Sequence, residues 1–129
     1  MDDEIEKARL KESPRLLREF FEETDNFELS AAEQACIAGT ALSEKLLNDL
    51  QLGLPVRLGD NMIQRLVIFL SIVEDIKVLY PPEHRSNYLR APNKAFDGAS
   101  PLDLLTLQGD EGFTRVSAYL KGSILGGFG

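Results

Sequence analysis

Leucine, isoleucine, valine and phenylalanine recur along this chain at spacings of three and four, with no sustained alternation. That is the periodicity of amphipathic helices, and it predicts an all-α fold. Ser13-Pro14 reads as a cap and a first helical position, followed by Leu16, Leu17, Phe20 and Phe21 to about Glu23. Ser30 and Glu33 have the capping-box spacing and open a short helix to about Ala38. Gly39-Thr40 breaks it, and a second short helix runs from about Ala41 to Gln51 with Leu42, Leu46, Leu47 and Leu50 as its stripe. Gly53 to Gly59 is a connector, and Asp60 caps the longest helix, about Asn61 to Leu79. Met62, Leu66, Phe69, Val73 and Ile76 form its stripe, and Ile63, Val67, Leu70 and Val78 widen it, which predicts burial on several sides. Most of that stripe reads as core, with a dimer seam as a second use. Further helices are expected from about Pro82 to Leu89, from Pro101 to about Leu107, and from Asp110 onward. The last of these has Phe113, Val116, Leu120 and Ile124 as its buried stripe.

Between these helices, residues 88–105 encode a stop, a turn and a start. Pro92 pushes Ala91 out of the α region, so the helix through Leu89 ends there. Asp97-Gly98 is a turn dipeptide, and glycine takes a positive φ without steric cost. Ser100 is an N-cap, Pro101 suits the first helical position, and Asp103 is an acid at the third. The stretch therefore predicts a fixed geometry holding the last third of the chain against what precedes it.

Length changes this picture little: 129 residues make one domain. Its parts are an acidic helical segment (1–28), a helix-turn-helix-like pair (29–59) and a C-terminal module (60–129), the last two forming one compact unit. Charge changes it more. The net charge is −7, and residues 1–28 hold ten acids against five bases, so the body is nearly neutral. An acidic total argues against strong non-specific nucleic-acid binding by a monomer. One cysteine excludes an internal disulfide framework and points to a reducing compartment. With no long apolar run and an acidic start, the expectation is a cytoplasmic protein without membrane contact.

Candidate chemistry is sparse. Glu19, Glu22, Glu23 and Asp25 suit a solvated helix face better than catalysis, because no second functional group accompanies them. Cys36 reads as a buried, inert thiol, and His84, the sole histidine, as a surface residue. No catalytic set, metal-ligand cluster or dinucleotide fingerprint is present, so the expectation is no enzyme, no cofactor and no metal. Two short helices around a glycine turn match the helix-turn-helix pattern and equally a generic helical hairpin. Ser43, Lys45, Asn48 and Arg57 are its candidate DNA contacts, although Glu44, Lys45 and Asp49 leave the second helix net negative. Arg85, Arg90 and Lys94 form the one basic patch, suited to phosphate or an acidic partner. The tail Gly126-Gly127-Phe128-Gly129 reads either as a frayed end or as a segment with one aromatic anchor for a partner's pocket.

The order Tyr88-Leu89, Pro92-Asn93, Phe96-Asp97-Gly98, Pro101-Leu102-Asp103-Leu104-Leu105, Gly109, Gly112, Val116, Leu120 and Gly126 resembles the toxin-binding domain of the Xre/MbcA/ParS antitoxins. The resemblance covers about residues 60–126, and Leu29 to Gln51 is similar to the degenerate helix-turn-helix that precedes the domain in that family. It implies a type II antitoxin whose partner is a RES-domain toxin that degrades NAD⁺, with a homodimer and a toxin–antitoxin hetero-oligomer as expected assemblies. In the family the C-terminal portion covers the toxin's active-site entrance. By position, that portion is Phe113 to Gly129, with Arg115, Tyr119, Lys121, Ser123, Leu125 and Phe128 as candidate contacts. Pro92, Asn93, Gly98, Pro101 and Asp103 are the motif's scaffold. The alternative reading is an Xre-like transcriptional regulator that represses its own operon, with or without the toxin.

Overall fold

The computed structural model describes the backbone of residues 2–39 and 42–126 and the side chains of residues 13–39 and 42–126. Among them are seven α-helices and one 3₁₀ turn, and no strand, as the periodicity predicts. The helices are α1 (Asp2–Asn26), α2 (Ala31–Ala38), α3 (Glu44–Gln51), α4 (Asp60–Leu79), α5 (Pro82–Arg90), α6 (Pro101–Leu107) and α7 (Gly109–Gly126). The 3₁₀ turn is Lys94–Phe96. The tail residues Gly127, Phe128 and Gly129, and the break residue Thr40 with Ala41, lie outside the described residues.

α4 is the axis of the molecule. It packs against α1, α2, α5 and α7, while α6 packs against α2, α5 and α7. Met62, Leu66, Phe69, Val73 and Ile76 are buried as the stripe predicts, and Ile72 joins them. The widened stripe is only partly used. Ile63 and Leu70 lean on the core, but Val67 is 50 % exposed and Val78 70 %, because no helix covers that side of α4. One continuous core runs from Leu17 and Phe20 of α1 to Phe113, Val116 and Leu120 of α7. The connector contributes as well: Val56 and Leu58 are buried on alternate sides of exposed Arg57.

Several local expectations are corrected. Ser13-Pro14 does not start a helix; α1 is continuous through it, with Pro14 inside and Ser13 buried. Proline lacks the N–H that would bond back one turn, but it keeps a helical φ, so α1 continues with one bond fewer. Gly59, not Asp60, is the cap of α4, and Asp60 is its first residue. Ser43 caps α3, which therefore starts at Glu44 and not near Ala41. Cys36 is exposed, because α2 buries only Ile37 and Ala38. Ile124 is 37 % exposed, since α7 at that point has run past the elements that cover its stripe.

The motif stretch folds as its residues dictate. Ala91 is extended (φ −81°, ψ 142°) and ends α5 ahead of Pro92. Asn93 then organises the loop. Its carbonyl accepts from Phe96 and Gly98, both at 3.0 Å, its N–H donates to the Ala99 carbonyl at 3.0 Å, and its side-chain oxygen accepts from the Ala95 N–H at 2.9 Å. Gly98 has φ +90° and Asp97 φ +57°, so the turn uses two left-handed residues in succession. Ser100 and Asp103 form a complete capping box, at 3.0 and 3.2 Å, that starts α6 beneath α7.

Candidate functional site

α7 is braced on both flanks. On the α4 side, the Arg65 guanidinium stacks over the Phe113 ring (5.4 Å) and pairs with Asp110 (3.5 Å). Two turns further on, Lys121 donates to Asp75 (3.0 Å) and to Ser71 (3.4 Å). The contacts come in the same order along both helices, so α4 and α7 run side by side in one direction. On the other flank, Tyr119 packs edge-on against buried Phe96 (5.3 Å), and Arg115 lies over the same ring (5.8 Å) while donating to the Gln108 side chain at 3.1 Å. From below, α6 approaches so closely that a Cβ on Gly112 would sit 1.9 Å from the Leu104 carbonyl oxygen.

The bracing leaves the outer face of α7 free. With about 100° per residue, Arg115, Tyr119 and Ser123 share one edge, and Lys121 and Leu125 share the opposite edge. Between them lie the small residues Ala118 and Gly122, a low strip between two bulkier rims. The candidate contacts therefore do not converge on one point; they flank a face. Ser123 has its hydroxyl tied to the Tyr119 carbonyl (3.0 Å), and Leu125 is 87 % exposed. Phe128 lies outside the described residues.

Behind Tyr119 sits an aromatic cluster that holds all three tyrosines of the sequence. Tyr80 and Tyr88 stack at 4.6 Å, and burial pushes the hydroxyls of both above the ordinary tyrosine range, Tyr88 the further. The Tyr88 hydroxyl is buried without a hydrogen-bond partner. This cluster fixes α5 and the motif loop beneath α7.

The basic patch is largely spent on structure. Arg85 donates to the carbonyls of Tyr80 (3.0 Å) and Lys77 (3.4 Å) and caps the end of α4. Arg90 makes a two-pronged contact with Glu33 (3.1 and 3.2 Å) and reaches the Glu28 carbonyl (2.8 Å). Its bonds to Glu33 hold that carboxyl below the ordinary carboxylate range, helped by the Ser30 N–H and opposed by desolvation. Lys94 remains exposed.

At the helix-turn-helix-like pair, Ser43, Lys45 and Arg57 line one cleft, and Asn48 faces another between α3 and α1. Ser43 accepts from the Leu46 N–H (3.1 Å) as a cap, and Lys45 is paired with Asp49 (2.9 Å). The spacing of residues did not single out Arg65, although it ties this pair to α7: its guanidinium also donates to the Cys36 and Ile37 carbonyls at 3.3 Å each. The available signal was a base set beside the apolar stripe in the first half of α4, a helix whose other base, Lys77, lies near its end. Among the described residues no group of three or more His, Cys, Asp or Glu could hold a metal ion, and no helix is long and apolar enough to cross a membrane.

Residues 74–122 match the family "Antitoxin Xre/MbcA/ParS C-terminal toxin-binding domain", a span from late α4 through most of α7. It is narrower than the stretch from residue 60 that the motifs suggest. A protein of Sinorhizobium fredii (strain NBRC 101917 / NGR234), "Uncharacterized protein y4oB", is 34 % identical over 108 residues, which is 83 % of this chain and 82 % of the relative. No solved structure gives a significant match. Over residues 74–122, which hold the motif loop and most of the braced last helix, the chain carries the toxin-binding domain of the Xre/MbcA/ParS antitoxins, which supports an Xre/MbcA/ParS-like antitoxin.

Proposed function

We infer that this antitoxin neutralises a RES-domain, NAD⁺-degrading toxin by laying the outer face of α7, and the residues after it, over the entrance to the toxin's active site. The toxin-binding family match supports a toxin partner. The observation that carries the finer reading is the contrast on α7: its inner faces are pinned by Arg65, Phe96 and α6, while Ala118 and Leu125 stand exposed on its far side. A helix held in one pose loses little freedom on docking, which favours affinity. Arg115, Tyr119, Lys121, Ser123, Leu125 and Phe128 are the proposed contacts. Arginine and tyrosine suit that role, since both are enriched among the side chains that dominate interface energy. The protein then acts by occlusion and needs no catalytic group of its own.

Co-expression with a RES-domain protein, chosen from a neighbouring open reading frame, tests this reading. A stable complex and relief of growth arrest are expected; failure to associate at micromolar concentrations refutes it. Deleting Leu125 to Gly129 should weaken neutralisation and leave helicity intact. Unchanged neutralisation would mean that the face of α7, without the tail, does the blocking.

A further inference from the structure

Arg115 is oriented by neutral groups. Its guanidinium lies over the Phe96 ring at 5.8 Å, and its Nη1 donates to the Gln108 side-chain oxygen at 3.1 Å. The fold fixes both supports. Phe96 is buried at the end of the 3₁₀ turn, and Gln108 is the cap residue that ends α6. Gly112 lets Gln108 come close, since a Cβ there would stand 3.1 Å from the Gln108 Cβ. Glu111 lies one turn before Arg115, at a spacing that commonly forms an ion pair. Among the described residues, however, no carboxylate bonds or pairs with Arg115. Arg65, Arg90 and Lys121, by contrast, each meet one.

A guanidinium carries N–H donors on all three nitrogens, and Gln108 engages only Nη1. Nε and Nη2 share the edge that excludes Nη1. The two parallel N–H groups of that edge match the two oxygens of a carboxylate. The aromatic ring beneath shields one face of the guanidinium, and a side chain already held in its bound pose loses little freedom on docking. Lys94, exposed in the same 3₁₀ turn as Phe96, adds a second positive charge. Asp97 and Glu111 are exposed, so solvent screens them, and neither fills the free edge.

We propose that Arg115 is a preformed receptor for one carboxylate of the toxin, an aspartate or glutamate beside the entrance that α7 covers. Phe96 and Gln108 are its positioning residues. This rests on the toxin-occlusion reading and adds the chemical group that the toxin must present. It also gives the motif loop a part in recognition, because Phe96 of that loop aims the arginine. A phosphate of the toxin's dinucleotide is served less well, since one guanidinium edge leaves its other oxygens without donors.

Calorimetric titration of the full chain into the empty RES-domain protein tests it. Arg115→Ala should weaken the complex about 30- to 100-fold, the loss expected of a buried arginine anchor. Its circular dichroism should match wild type. Arg115→Lys should stay about tenfold weaker than wild type, because an ammonium cannot present two parallel donors. Gln108→Leu keeps every charge but frees the guanidinium, and should weaken binding about three- to tenfold through faster dissociation. Arg115→Glu should abolish binding, and changing the toxin's acids to arginine one at a time should restore it at one position. Such a rescue would not follow from a merely structural role. If the wild-type complex forms and Arg115→Ala leaves its affinity unchanged, the receptor is overturned and the toxin reading stands. Failure of every toxin reversal to restore binding to Arg115→Glu also overturns it. A loss seen only when the toxin holds a non-hydrolysable NAD⁺ analogue would make the anion a dinucleotide phosphate, which overturns it too. A wild-type chain that binds no RES-domain protein removes the toxin reading, and the receptor with it.

Discussion

Arg65 shows how much one side chain can organise. Its side chain is 15 % exposed, and it bonds the last carbonyls of α2, stacks on Phe113 and faces Asp110. Arg65→Met should therefore cost about 2 kcal/mol, chiefly from two carbonyls left without their donor and a lost cation–π contact. Arg65→Lys should recover little of it, because an ammonium cannot span two carbonyls and lie flat on a ring. Chemical denaturation of the three proteins checks both statements. Gly112 is the opposite case, a residue whose value is its missing side chain. An alanine methyl there would stand 1.9 Å from the Leu104 carbonyl oxygen, so Gly112→Ala must push α6 and α7 apart. A loss of about 2–3 kcal/mol is expected in the same assay, although alanine is the better helix former.

At the level of elements, the ties between distant helices are charged and have defined pH limits. Glu33 of α2 and Arg90 of α5 are joined by two hydrogen bonds, and the Glu33 carboxyl is held below its ordinary value of 4.5. A group with a depressed folded-state pKa stabilises the fold above its unfolded pKa, and that contribution is lost as pH falls through the folded value. Thermal unfolding of Glu33→Gln should therefore show a deficit against wild type at neutral pH. The deficit should close progressively as pH falls below 4.5 and through the lowered folded value, beneath which wild-type Glu33 is itself protonated. Lys77 of α4 gives the mirror image. Its hydrogen bond to Glu23 of α1 (3.0 Å) raises its pKa, against desolvation. That contribution is complete below 10.5 and is lost as pH rises through the raised folded value. Among the described helices, α3 lacks such ties and has no fully buried residue, only Leu46 and Leu50 leaning on the core. Its amides should exchange with solvent earlier than those of α4 or α7 in a hydrogen-exchange time course.

For the whole molecule, the continuous core decides how many folding units exist. The three segments read from the sequence share one hydrophobic cluster from Leu17 to Leu120, and no boundary interrupts it. Unfolding in urea should accordingly be a single transition, coincident by far-ultraviolet circular dichroism and by fluorescence of the three tyrosines. The tyrosines lie together under α7, so an earlier circular-dichroism step would identify residues 29–59 as a separate unit. The acidity of the N-terminal segment belongs to α1, which docks on α4 through Lys77 and Glu23 and through the Phe20–Phe69 contact at 5.5 Å.

The sequence by itself determined whatever depends on neighbours within a few residues. Periodicity set the helices, Ser30 and Ser100 set two capping boxes, and Pro92 with Asp97-Gly98 set the stop and the turn. The same local pattern carried the family resemblance, because a motif loop is made of consecutive residues. The tertiary structure decided which side of each helix stays covered. Val67, Val78 and Ile124 fit their stripes and are exposed, and Cys36 looked interior and is not. Spacing gives the angle of a side chain about its own helix, but it contains no term for what stands opposite. It also could not pair Arg90 with Glu33 or bring Arg65 to Phe113, since those partners are separated by dozens of residues and meet only once the helices pack. The motif loop therefore encodes where α7 begins, and contacts spread over the rest of the chain decide where it points.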